Sequence, residues 1–114
     1  MNLSNKKCVP CEGGVPHLGR KEAARYLKSL KGWTLSKDAK SIDCDYLMKD
    51  FMSAVHFIQK IASLAEDEGH HPDLHLVGYR KLRIELSTHA IGGLSENDFI
   101  LAAKIDKLPK KLRE

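Results

Sequence analysis

Four histidines lie within one stretch of twenty residues: His70, His71, His75 and His89. Imidazole changes charge near neutrality, so a group of them suits proton transfer to and from a bound molecule. Two are adjacent, in Gly69-His70-His71-Pro72. Pro72 disfavours the helical region for His71 and drives it towards an extended conformation. Two consecutive rings at such a junction cannot both be core residues of one element. His89 follows Ser87 in the polar parity of its strand, which puts it on the same uncovered side. A lone histidine at a loop end is ordinarily surface; a Gly-His-His-Pro turn facing a third histidine across a sheet reads as an acid–base site. Zinc is the competing use of clustered histidines. Ligands at i and i+1 are poorly placed to share one tetrahedral ion, and conventional ligand spacings are absent, so no metal is expected here.

Cys8-x-x-Cys11 invites a zinc or redox reading as well. A structural zinc site wants four ligands, and only His17 and the distant Cys44 remain to complete one. The pair also lacks the strand-to-helix setting of thiol oxidoreductases. Two unpaired thiols on an N-terminal arm are the expected state. Three cysteines, an odd number without scaffold density, fit a reducing, cytoplasmic setting. Trp33 and Tyr79 can each pack a core or stack on a ligand. Asp98 occupies the third position after Ser95 in Ser-Glu-Asn-Asp, where a carboxylate helps a helix start whatever else it does.

The elements that must carry these residues follow from periodicity. Residues 1–19, with Pro10, Gly13, Gly14 and Pro16, read as an irregular arm, and residues 20–114 as a single domain. Ala23, Leu27 and Leu30 mark a first amphipathic helix, ended by Gly32. Residues 33–36 and 42–48 alternate as a hairpin, with Ile42, Cys44, Tyr46 and Met48 on one face. Phe51, Ala54, Val55, Ile58, Ile61, Ala62 and Ala65 recur at helical spacing, with Asp50 to cap the start and Gly69 to close the end. Residues 74–79 and 81–88 form a second hairpin in which Leu82, Ile84, Leu86 and Thr88 face inward. A third helix runs from the Ser95 cap to about Leu108, where Pro109 stops it.

The expected fold is therefore α+β: a four-stranded antiparallel sheet with three helices packed on one face, in the order α-β-β-α-β-β-α. Its other face would be polar. Sheet edges tend to be paired or covered, and the regular strand 81–88 is the one expected to pair with a copy of itself.

Composition narrows the function classes. At 114 residues, 42% hydrophobic and 30% charged, the chain suits one ordinary core. The longest apolar run, Phe99 to Ala103, is far short of the ~20 residues a membrane span needs. Met1–Lys7 is polar and no apolar segment follows it, so nothing reads as a signal peptide. The net charge of +4 is concentrated at the ends: seven basic against two acidic residues in 1–31, and five against two in 104–114. No aromatic residues interleave with these charges as a nucleic-acid surface would require, so they read as solvated faces.

The quoted residues closely resemble the pterin-4a-carbinolamine dehydratase family. The resemblance rests on Glu66-Asp-Glu-Gly-His70-His71-Pro72, then Tyr79, then Leu86-Ser-Thr-His89, then Gly93-Leu-Ser-Glu-Asn-Asp98, and extends from about Gly32 to Leu108. A Cys-x-x-Cys-Glu-Gly-Gly arm such as Cys8–Gly14 is similar to those of many microbial and plant members. The resemblance implies dehydration of a 4a-hydroxytetrahydropterin to the quinonoid dihydropterin, downstream of an aromatic amino-acid hydroxylase, with no cofactor. It implies that His70, His71 and His89 bind the pterin and move protons, that Asp98 supports the site, and that Trp33, Glu66, Pro72 and Tyr79 contribute to binding. Where animal members carry an aromatic two residues after the proline, this chain has Leu74. The resemblance also implies a homodimer that can associate into a tetramer. The alternative it carries is a binding module that serves as a dimerisation cofactor or regulator of another protein.

Overall fold

The computed structural model describes residues 2–9 and 16–113. Helix α1, Arg20–Leu27, is followed by strands β1, Thr34–Leu35, and β2, Ile42–Leu47; helix α2, Phe51–Glu68, leads to β3, Asp73–Val77, and β4, Lys81–Leu86; helix α3, Glu96–Lys107, closes the order. The four strands form one antiparallel sheet in the order β1-β2-β4-β3, with the helices over one face. This is the α+β architecture expected from the alternation of the strands.

Register explains the one-sided core. Ile42 stands opposite Leu86, Cys44 opposite Ile84 and Tyr46 opposite Leu82, while Leu74 and Leu76 meet Ile84 and Leu82 from the other side. Because side chains alternate across a strand, those pairings bring every apolar partner to the helical side together. Ile42, Leu82, Ile84 and Leu86 are buried there against Phe57, Ile61, Phe99 and Ile105. On the opposite side Arg83 forms ion pairs with Asp43 at 3.2 Å and Glu85 at 3.4 Å.

Three details depart from expectation. Strand β4 is internal, bonded to β2 and β3, so the strand expected to self-pair has no free edge; the long open edge is β3. Helix α1 ends at Leu27, and the segment to Leu30 tightens into turns closed by Ser29 N–H to Tyr26 O and Leu30 N–H to Leu27 O. In α2 the buried line is Ala54, Phe57, Ile61 and Ala65, while Phe51 is half exposed and Ala62 is exposed. The helix is rotated so that Phe57 meets Tyr46 edge-on, ring centroids 5.3 Å apart, which favours the aromatic pair over the smaller alanine.

The start of the chain is packed rather than loose. Leu3 is buried in the core, Lys6 pairs with Glu96 at 2.9 Å, and the Leu18 amide donates to Leu94 O at 2.8 Å. Cys11, the second thiol of the Cys-x-x-Cys pair, lies outside the described residues.

Candidate active site

The end of α2 sets the first two histidines. Gly69 takes the left-handed conformation (φ 66°), its amide donates to Glu66 O, and the His70 amide donates to Ala65 O. That pair of bonds is a Schellman closure, which satisfies the last helical carbonyls and reverses the chain. It leaves His70 directly at the cap and His71 between it and Pro72, outside both the helix and β3.

The end of β4 sets the third. Beyond Leu86, Thr88 pairs with Gly93 through Thr88 N–H to Gly93 O at 2.8 Å, and a 3₁₀ turn, His89–Ile91, occupies the loop between them. Gly93 has no room for a side chain, since a Cβ there would stand 2.7 Å from the His17 ring. His89 therefore begins a tight turn instead of continuing the strand, and it is exposed.

His70, His71 and His89 line one open cleft of about 250 Å³. Gly69, Ser87, Thr88, Ala90, Asn97 and Val9 complete its walls. Beneath it lies Asp98, fully buried and pinned on both oxygens. Oδ1 meets His70 Nε2 at 2.6 Å. Oδ2 accepts from Thr88 Oγ1 at 2.8 Å and from the Ser95 amide at 3.0 Å. The Ser95 bond is the capping interaction read from the sequence; the Thr88 and His70 bonds give the same carboxylate a second task, orienting an imidazole. His71 Nε2 pairs with Glu66 Oε2 across the last turn of α2. His70 is largely buried and His71 is 62% exposed, so one ring is held and the other is accessible. Pro72 is half buried beside His71.

Three residues of the sequence reading stand elsewhere. Trp33 is buried in the core, its indole N–H donating to Asp106 Oδ1 at 2.9 Å, an acceptor it shares with the Tyr46 hydroxyl. A buried indole needs a partner for its N–H, and Asp106 of α3 supplies it away from the cleft. Tyr79 sits in the β3–β4 turn at φ 56°, following Gly78 at φ 57°, at the opposite end of the hairpin from the histidines. His75 stands on the open sheet face, 3.5 Å from Glu85.

Three contributors were not singled out from the sequence. Thr88 had a signal: it lies in the buried parity of β4, where a hydroxyl must find a partner. Asn97 and Glu68 had none, because they act on the arm. Glu68 accepts the Cys8 amide at 2.8 Å and lies 3.6 Å from Lys104; the Cys8 amide chiefly holds its carboxyl below the usual range. Burial, reinforced by Glu68, pushes the Cys8 thiol up to about 12.

Comparison with known proteins follows the same residues. The sequence profile described as pterin 4 alpha carbinolamine dehydratase matches residues 16–108. An Arabidopsis thaliana protein, mitochondrial pterin-4-alpha-carbinolamine dehydratase 2, is 47% identical over 110 residues, covering 94% of this chain and 59% of that one. A protein of Azoarcus sp. that carries the same family name is 46% identical over 106 residues, covering 93% and 90%. A solved structure from Brucella melitensis, described as a transcriptional coactivator/pterin dehydratase, superposes with a TM-score of 0.74 at 30% identity, covering 79% of this chain and 95% of that one. Among the described residues no helix is long and apolar enough to cross a membrane.

Proposed function

This chain belongs to the pterin 4 alpha carbinolamine dehydratase family and is a hydro-lyase, and from that premise we propose that it converts a 4a-hydroxytetrahydropterin to the quinonoid dihydropterin by histidine acid–base catalysis, in tetrahydropterin recycling. The observation that carries the reading is the convergence of His70, His71 and His89 on one cleft over a buried carboxylate.

The substrate bears a hydroxyl on an sp3 ring carbon beside a ring N–H. Loss of water breaks the C–O bond and forms a C=N bond. One imidazolium gives its proton to the departing hydroxyl, and one neutral imidazole takes the proton of the ring nitrogen. Each transfer contributes about 10²–10⁴-fold. His71 and His89 are the proposed proton carriers, while His70, fixed by Asp98, positions the pterin. Glu66, paired with His71 Nε2, holds that ring in place at the end of α2. The released proton and the consumed one balance, so no external reductant or oxidant enters.

The physiological partners in this reading are the pterin and, functionally, an aromatic amino-acid hydroxylase that makes the carbinolamine. The setting is cytoplasmic. A homodimer, with further association to a tetramer, is part of the proposal, and the open β3 edge supports it. Sedimentation at micromolar concentration showing only a 12.8 kDa species would count against assembly. A second reading, a dimerisation cofactor for another protein, draws on the exposed Phe51 and Met52 at the start of α2; it uses a different surface and is compatible with the first.

The test is direct. Carbinolamine generated by a hydroxylase should yield quinonoid product faster with this protein present than without it. Equal rates would refute the dehydratase reading.

A further inference from the structure

The histidine cleft is lined mostly by polar residue types, and its aliphatic side chains are Ala90 and, from the N-terminal arm, Val9. Val9 lines the cleft while remaining 65% exposed. An exposed valine on a mobile arm would contribute little, but this one is pinned. Its amide donates to Asn97 Oδ1 at 2.9 Å, and its carbonyl accepts from Asn97 Nδ2. One residue earlier, the Cys8 amide donates to Glu68 Oε1 at 2.8 Å. Three polar groups of the arm's main chain, on two consecutive residues, are thus held by two side chains. Asn97 is buried, and the Glu68 side chain is 5% exposed.

The pins are adjacent in sequence to the chemistry. Asn97 precedes Asp98, the carboxylate beneath His70, and Glu68 lies two residues before His70. The same turn of α3 therefore orients an imidazole through one residue and the arm through the next. A side-chain amide that reads both the N–H and the C=O of a single residue fixes that residue's position and direction, as a strand partner would.

We infer that Val9 is a wall of the substrate site that packs against the pterin ring, and that Asn97 and Glu68 are positioning residues which hold it there. The inference rests on the dehydratase reading and deepens it. A flat ring whose edge is polar but whose faces are not needs one apolar surface to lie on while imidazoles work at its edge. Val9 is the largest aliphatic side chain the cleft offers.

A wall that binds the ring before and during the reaction alike changes KM and leaves kcat. Val9→Gly should raise KM about fivefold, somewhat less than the ~10-fold that a methylene commands in a closed pocket, with kcat within about twofold. Asn97→Leu should do the same by releasing the arm, and Asn97→Asp, which keeps the acceptor for the Val9 amide, should fall between. Val9→Ile should restore wild-type KM. Lys6→Ala removes an exposed contact of the arm with Glu96 while leaving the Asn97 and Glu68 bonds to residues 8 and 9 in place, and should leave KM within about twofold. Because Asn97 is buried and its variants can destabilise α3, the decision rests on Val9, whose side chain is exposed. If the wild-type protein turns over carbinolamine and Val9→Gly has wild-type KM, the inference is overturned and the dehydratase reading stands. If the wild-type protein gives no turnover at all, the dehydratase reading fails and this inference with it.

Discussion

His70 and Asp98 stand 28 positions apart in the chain and 2.6 Å apart in the fold, an imidazole nitrogen against a carboxylate that solvent does not reach. Helix capping alone would let asparagine replace Asp98, since the cap needs only one acceptor. The burial says otherwise. Oδ2 already receives two donors, so an asparagine would have to turn its NH₂ towards His70, which would then have to accept, moving its own proton to the other ring nitrogen.

Asp98→Asn is therefore expected to fold with a modest loss of stability and to lose roughly 10- to 100-fold in kcat/KM, the scale on which outer partners that orient a working histidine act. Steady-state turnover with circular dichroism checks it. An unchanged kcat/KM would show that Asp98 serves α3 alone.

Thr88→Val keeps the shape of a buried side chain and removes the hydroxyl that donates to Asp98 Oδ2. Leaving that oxygen one donor short costs about 1–3 kcal/mol. Each kcal/mol lowers the melting temperature by about 4–8 °C in a domain near this size. Thr34→Val, at an exposed position of β1, should shift it far less. Thermal denaturation of both variants decides the matter; equal shifts would exclude the buried bond as the cause.

Much of this was legible in the chain itself. Alternation in Ile42–Leu47 and Lys81–Leu86 specified a one-sided sheet because a one-residue slip would expose the whole apolar set. Gly69 and Pro72 bracketed the two histidines with unambiguous backbone chemistry. Strand order was not legible: local alternation does not say which neighbour a strand takes, so β4 was read as an edge. The surroundings of Trp33 and Tyr79 are not legible for a related reason: the acceptor of the Trp33 indole, Asp106, is 73 positions away, and the left-handed turn at Tyr79 is not encoded in periodicity. The arm's role was hidden because Asn97 and Glu68 bind main chain, which carries no sequence signature.

Acid should release the arm. Glu68, held below its ordinary 4.5 chiefly by the Cys8 amide, and Glu96, held below the same value chiefly by Lys6, both anchor it. A carboxylate whose folded pKa is depressed contributes stability that is fully present above its unfolded value and is lost as the pH falls through the folded one. Arm attachment should thus be constant from neutrality to about pH 4.5 and weaken below it. Amide exchange at Cys8 and Val9 between pH 6 and pH 3, corrected for intrinsic rates, reads this. Unchanged protection across that range would mean that the carboxylates do not hold the arm.

The Cys8 thiol, raised to about 12 by burial and by Glu68, is protonated at neutral pH. It should react slowly with an alkylating reagent in the folded protein and quickly after denaturation. Its amide makes the 2.8 Å bond to Glu68 and its sulfur only a long 3.5 Å contact to Asn97 O, which a serine hydroxyl can replace, so Cys8→Ser should alter turnover by less than about twofold. The same is expected when Cys11→Ser is added. A large fall in melting temperature in the double variant would show that the two sulfurs share a structural ligand.

The roles of the three histidines can be separated kinetically. His70 is largely buried and bound to Asp98, a geometry suited to holding the pterin in one orientation. His71 is exposed and backed by Glu66, and His89 opens a tight turn that also lines the cleft. Groups that act as acid or base work chiefly in the transition state, so His71→Ala and His89→Ala should lower kcat and kcat/KM together, each by about 10²-fold or more. His70→Ala should mainly raise KM, the pattern of lost uniform binding, accompanied by a lower melting temperature because Asp98 is left buried without that partner. Glu66→Gln should lower kcat by less than His71→Ala, since the imidazole remains and only its charged neighbour is gone. Should His70→Ala abolish kcat while His71→Ala leaves it intact, the buried histidine is the proton carrier and the exposed one the anchor.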